Sequence, residues 1–247
     1  MSSGPAKAET AVPSPDNPFL LARLKGIVIR PRSTFAAVAT RPRAAGMLAL
    51  LTLVSFGATA AFLATDAGEV ALVDQWERTA LAFGQTVDDT RYAEMQRLSG
   101  YGVPYAAASA IARGPVFAVA MAAALYGVSS ARGRRATFAQ TLAVVSHAGV
   151  ILALRDVVAA PLNYVRESLA SPVTFVSFAG MLDEGSALAR LLALIDVFVL
   201  WWIIVLAVGV AVLYRTRARV MAVTLFGLYL GVALLLAGTM AVLGGNS

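Results

Sequence analysis

GMLALLTLVSFGATAAFLAT, residues 46–65, carries no charged side chain. A helix rises about 1.5 Å per residue, so a stretch of this length crosses about 30 Å of hydrocarbon. Comparable runs recur along the chain. One covers about 111–130, with Arg113 near one end beside Gly114 and Pro115. Another covers about 138–158, with Arg155 and Asp156 near its far end. A fourth, about 188–214, holds Arg190 and Asp196, and a fifth, about 220–243, holds no charge. The fold these runs predict is all-α, a polytopic membrane protein. Residues 44–247 form its five-span transmembrane helical bundle, behind an amphipathic N-terminal arm.

Composition agrees. The chain is 59% apolar and 14% charged, against about 45–50% and about 25% in soluble globular proteins. Its mean hydropathy is +0.74. A soluble fold of this size needs a polar skin that these residues cannot supply. The net charge of +6 sits in arginine clusters between apolar runs, which points to lipid headgroups as the anionic partner and away from nucleic acid. No cysteine is present, which removes disulfides, thiolate metal sites and thiol nucleophiles together. Ala6-Lys7-Ala8 is not preceded by an apolar core. No secretory signal peptide is therefore read, and the first span is expected to serve as the insertion signal.

Outside the spans, residues 1–17 hold few apolar groups and are expected to be a disordered tail. Residues 18–43 form a cytosolic arm in which Phe19, Leu24, Ile27, Val28 and Ile29 alternate with Arg23, Lys25 and Arg30, and Pro31 divides it. The arm is expected to lie in the headgroup plane, apolar side down, with packing on the protein's own cytosolic face as the rival. Residues 66–104 read as a small helical cap at the opposite interface. The run 173–182 is too short to cross and is interfacial, re-entrant or packed on the bundle.

Orientation follows from the basic residues flanking the spans. The arm, the second–third connection and the fourth–fifth connection collect Lys7, Arg23, Lys25, Arg30, Arg32, Arg41, Arg43, Arg132, Arg134, Arg135, Arg215, Arg217 and Arg219, against Glu9 and Asp16 alone. The other side holds nearly all remaining carboxylates. This places the N-terminus in the cytoplasm and the C-terminus outside, in a plasma (inner) membrane. A four-span chain is the rival, but dropping any of the first four spans exports an arginine cluster.

Four intramembrane polar residues are candidates for a site. An ionised carboxylate within a span costs about 2.5–3.5 kcal/mol, so Asp196, read about two turns inside the fourth span, should have a partner. Arg113 and Arg155 fall in the same leaflet and are available as partners; a structural clamp is the expectation, and an ion or proton relay the rival. His147, beside Ser146, is the only histidine. Neighbours on a helix point about 100° apart, so the two are not a nucleophile–base pair and read as polar groups bonding across helices. No catalytic residue, cofactor or metal site is read. Gly227, Gly231 and Gly238 lie near one face of the last span and suit helix packing, within the subunit or between subunits. Trp201 and Trp202 are read as mid-helix packing residues.

The order of features resembles the bacterial branch of the Yip1-domain membrane proteins. The resembling residues are Ile27-Val28-Ile29, Pro31, Thr34-Phe35 and Pro42 before the first span, then Ile195-Asp196-Val197-Phe198 and Trp201, a basic turn, and a glycine-containing last span. The resemblance covers about residues 18–244. It implies a non-enzymatic integral membrane protein with a membrane-organising or protein-interaction role. Eukaryotic members contact small GTPases through an acidic aromatic Gly-Pro motif in the arm. Residues 1–43 lack that motif, so the resemblance does not carry GTPase binding over. The Ala/Val/Arg/Gly-rich composition suits a GC-rich bacterium. A small transporter or channel component using Asp196 is the alternative. Partners expected are the bilayer, anionic headgroups at the arginine clusters, and a protein that the sequence does not identify.

Topology reporters test the orientation. Fusions at Gly133 and Ala218 should report cytoplasm, and those at Thr86, Ser171 and Ser247 the outside. An external signal at Gly133 would sink the five-span reading.

Overall fold

The computed structural model describes residues 20–133, 136–169 and 196–244, and helices dominate them with no β-strand. The arm forms α1 (Leu20–Ile29) and α2 (Pro31–Thr40). The first span is α3 (Ala45–Leu63), followed by α4 (Asp66–Ala82) and α5 (Asp89–Ser99). The second span runs through α6 (Gly102–Ile111), a π-helical turn at Ala112–Val116, and α7 (Phe117–Ala131). The third is α8 (Phe138–Ala148) and α9 (Val150–Arg166), jointed at Gly149. The last two are α10 (Val197–Tyr214) and α11 (Ala218–Gly244).

Five stretches are long and apolar enough to cross a membrane, as expected from the sequence: Ala45–Leu63, Gly102–Ala131, Phe138–Arg166, Val197–Tyr214 and Ala218–Met240. Their outward faces are apolar too. Exposed large apolar residues crowd these faces, Leu53 at 66% and Val223 at 73% among them, a surface suited to lipid rather than water.

Three boundaries differ from the sequence reading. The second span begins at Gly102 rather than near residue 111. The third continues past residue 158, through Pro161, to Arg166. Proline frees one carbonyl, which is tolerable near a helix end where polar groups or water can reach it. The fourth starts at Val197, and residues 188–195 of the expected run lie outside the described residues, as do 1–17 and 173–182.

The arm packs on the protein, with its apolar face turned into the bundle. Ile27 and Phe35 are fully buried and Val38 nearly so. Pro31 opens α2, where its missing N–H costs nothing. Phe35 then enters a notch made by Gly209 and Val144. A Cβ on Gly209 would stand 2.7 Å from Val144 Cγ1 and 3.0 Å from the Phe35 ring. The Gln140 side-chain amide donates to the Ala39 carbonyl at 2.9 Å, fastening the end of α2 to α8. This corrects the expected headgroup-plane placement: the apolar face is spent on the protein's own helices, although Ile29 stays 60% exposed at its rim.

These contacts gather the arm, the turn at Gly133 and the turn after Tyr214 at one end of the bundle, so the described arginines of all three basic segments share that end. At the other end, α4 and α5 form the expected cap. Leu72 and Ala71 bury against Phe62, Leu63 and Ala106, and Trp76 meets Tyr105 edge-on at 5.7 Å. Thr65 caps α4 by accepting from Gly68 N–H, and Asp88 caps α5 by accepting from Arg91 N–H.

Phe35→Ala should lower stability by about 3–5 kcal/mol, the usual cost of emptying a buried aromatic site. Ile29→Ala should fall within about 0.5 kcal/mol of the parent, as a surface change does. Thermal melting in mild detergent reads both, and equal losses would contradict arm docking.

Candidate functional site

Asp196 is the N-cap of α10 rather than a residue two turns inside a span. Its Oδ1 accepts the N–H groups of Phe198 at 2.8 Å and Val199 at 3.4 Å. Its Oδ2 accepts from Arg155 Nε at 2.5 Å. The carboxylate is 5% exposed, yet three donors surround it. Capping satisfies otherwise orphaned helix amides and places a negative charge at the positive end of the helix dipole. Arg155 also lies 3.7 Å from Asp156 through Nη1, so one guanidinium serves two carboxylates. Moving the helix start to Val197 also moves the tryptophans. Trp201 and Trp202 stand in the first turns of α10 rather than mid-helix. Trp202 is buried against Phe117, with ring centroids 5.7 Å apart.

Arg113 stands at the same level without joining the pair. Counted at about 1.5 Å per residue from the basic end of each helix, Arg113, Arg155 and Asp196 all lie about 25–27 Å away. Arg113 bonds one turn back instead, Nη2 to Ser109 Oγ at 3.1 Å and Nε to the Ser109 carbonyl at 3.4 Å. Among the described residues it forms no ion pair. It sits in the π-helical turn. Pro115 cannot donate to Ile111, and widening the helix by one residue accommodates the ring. Gly114 admits α3 there, since a Cβ would lie 2.9 Å from Thr52 Oγ1.

Two cavities meet at these charges. A polar one of about 400 Å³ lies toward the cap, among α3, α4, α6 and α9, with Ser109, Tyr105 and Asn163 in its wall. An apolar one of about 390 Å³ lies toward the membrane interior, with Leu51, Phe117, Val145 and Trp202 in its wall. Arg113, Arg155 and Asp156 line both. Neither Asp196 nor His147 lines either.

His147 is fully buried, and its Nδ1 donates to the Ala143 carbonyl at 2.8 Å. Ser146 Oγ donates to the Leu142 carbonyl at 2.6 Å. Each bonds back along its own helix, so the cross-helix bonding expected of them does not appear among the described residues. No group of three metal-binding side chains occurs there. Gly227, Gly231 and Gly238 have no described atom within 4 Å of an added Cβ. Packing of this glycine face within the subunit is therefore absent among the described residues.

Sequence reasoning noted Asp156 beside Arg155 without making it a candidate, and missed Asn163 and the Tyr214 contact, in which the hydroxyl meets Thr141 Oγ1 at 3.0 Å and donates to the Leu125 carbonyl at 3.4 Å. It also missed the cap. Its signal was available: an aspartate directly before an uninterrupted apolar run is a helix-start pattern.

Fold and site together define a polytopic α-helical membrane protein with a docked amphipathic arm and a charged cluster near one face of the bilayer. The Yip1 domain matches residues 25–240, and the chain belongs to that family. Curated proteins and solved structures give no match.

Variants at Asp196 separate its two bonds. Asp196→Asn keeps an acceptor for the cap and should cost about 1–2 kcal/mol. Asp196→Leu removes cap and ion partner together and should cost about 3–5 kcal/mol. Detergent melting that places Leu level with the parent would refute the clamp.

Proposed function

We propose that this Yip1-domain protein has a non-enzymatic, membrane-organising or protein-interaction role, in the inner membrane of a bacterial cell. Its arm and arginine clusters face the cytoplasm and its C-terminus lies outside. Arg132, Arg215, Arg217 and Arg219, beside the arm's own basic residues, are placed to meet anionic headgroups.

The observation that carries the interaction reading is α11. Only 6% of its spanning window is buried, and the described contacts of the helix are chiefly with α10, with a few to α4. The open Gly227 and Gly231 face would let another transmembrane helix approach closely. A transporter based on Asp196 fits less well. Such a path needs polar space from the cap to mid-membrane, whereas the polar cavity gives way at Arg113 to an apolar one, and Asp196 is sealed beneath its own helix.

The absence of cysteine allows a clean test. Gly231→Cys alkylated with benzophenone maleimide should photo-cross-link to another membrane helix in native membranes, whereas Leu53→Cys labelled alike, on the lipid face of α3, should not. Adding Gly227→Leu should abolish the Gly231 adducts. No adduct from Gly231, or equal adducts from Leu53, would remove the observation on which the proposal stands.

A further inference from the structure

The junction of the two cavities has the layout of a receptor for a single amphiphile. Polar space lies on the cap side, apolar space on the membrane side, and charges stand at the boundary. Each volume falls within the range of small-molecule sites, about 300–1,000 Å³. Arg113 supplies a guanidinium held only by Ser109 among the described residues, and a guanidinium matches phosphate oxygens in geometry as well as charge. The π-helical turn carrying it widens the helix where the cavities meet.

Acceptors face the same space. Asp156 lines both cavities, and its link to Arg155 is long at 3.7 Å. Asn163 lines the polar cavity, and its Oδ1 is buried with no hydrogen-bond partner among the described residues. A buried orphan acceptor calls for a donor. Charge decides which donor. Among the described residues that line the cavities, the Arg113 guanidinium stands beside the Asp156 carboxylate, so a net-anionic ligand that serves Arg113 alone leaves Asp156 facing added negative charge in a poorly hydrated site. A ligand carrying both a phosphate and an ammonium keeps the balance. Its ammonium needs N–H groups to serve Asp156 and Asn163, which a quaternary ammonium lacks.

The geometry points to a site for one aminophospholipid of the phosphoethanolamine type. Its phosphate meets Arg113, its primary ammonium lies among Asp156 and Asn163, and an acyl chain fills the apolar cavity beside Phe117 and Trp202.

Native mass spectrometry of the full chain, delipidated in mild detergent, tests this by titration with phosphatidylethanolamine, phosphatidylcholine and phosphatidylglycerol. Phosphatidylethanolamine should form a one-to-one adduct with about a tenfold preference over the other two. Arg113→Gln should weaken that adduct about tenfold while melting like the parent, since it breaks no ion pair among the described residues. Asn163→Leu should remove the preference over phosphatidylcholine and leave phosphatidylcholine binding as it was; should Arg113→Gln fail to fold, this variant decides. Inorganic phosphate and deacylated glycerophosphoethanolamine should not displace the lipid. Equal retention of all three lipids, an undiminished adduct in Arg113→Gln, an unchanged preference in Asn163→Leu, or displacement by inorganic phosphate would each overturn the assignment.

Discussion

α10 is pinned at both ends and has no polar side chain between them. One pin is the Asp196 cap with its Arg155 partner; the other is Tyr214, bonded to Thr141 and Leu125. Within lipid, apolar side chains gain little by leaving one apolar surface for another, so packing alone sets helix register weakly. The two polar pins, about 27 Å apart along the helix, fix that register. Everything central leans on it: α2, α8, α9 and α11 all pack on α10, and its Leu206, Val210 and Trp202 lie in the main core. An ion pair whose carboxylate is buried is costly to half-remove, which suits a part that must not slide.

The arm belongs to this arrangement rather than to the membrane surface. Phe35 reaches Gly209, one helical turn and a residue short of Tyr214, and shares that notch with Val144, one turn from Thr141. The residues that resembled the Yip1 pattern therefore have a mechanical reading here. Pro31 starts α2, while Ile27 and Phe35 are the buried anchors of the arm. Asp196 and Trp201 stand at the end of α10 opposite the one on which the arm docks.

The spans and their order were legible because twenty apolar residues in a row admit few alternatives, and the shared basic end because arginine clusters alternate with them. The docking of α2 was not, since an amphipathic helix turns the same face to lipid or to protein, and only Gly209 records the choice. The start of α10 was blurred for a related reason. Apolar residues continue through residues 188–195 with Arg190 the one interruption, so Asp196 reads as an intruder in a long helix instead of the residue that opens a shorter one. Asn163 carried no signal at all: beyond Pro161, a sequence rule expects the helix to have ended.

The spans are unequal. Gly102–Ala131 and Phe138–Arg166 extend over about 45 Å, while α3 and α10 reach only about 27–29 Å. The surplus of the long helices stands on the cap side, so the short pair sets the hydrocarbon thickness that the protein matches. A helix fastened at both ends cannot tilt on its own to suit another bilayer. A thicker membrane must therefore compress around it, at fractions of a kcal/mol per Å of mismatch. Fastening α10 thus ties the protein to a hydrocarbon layer close to that helix's own length of about 27 Å.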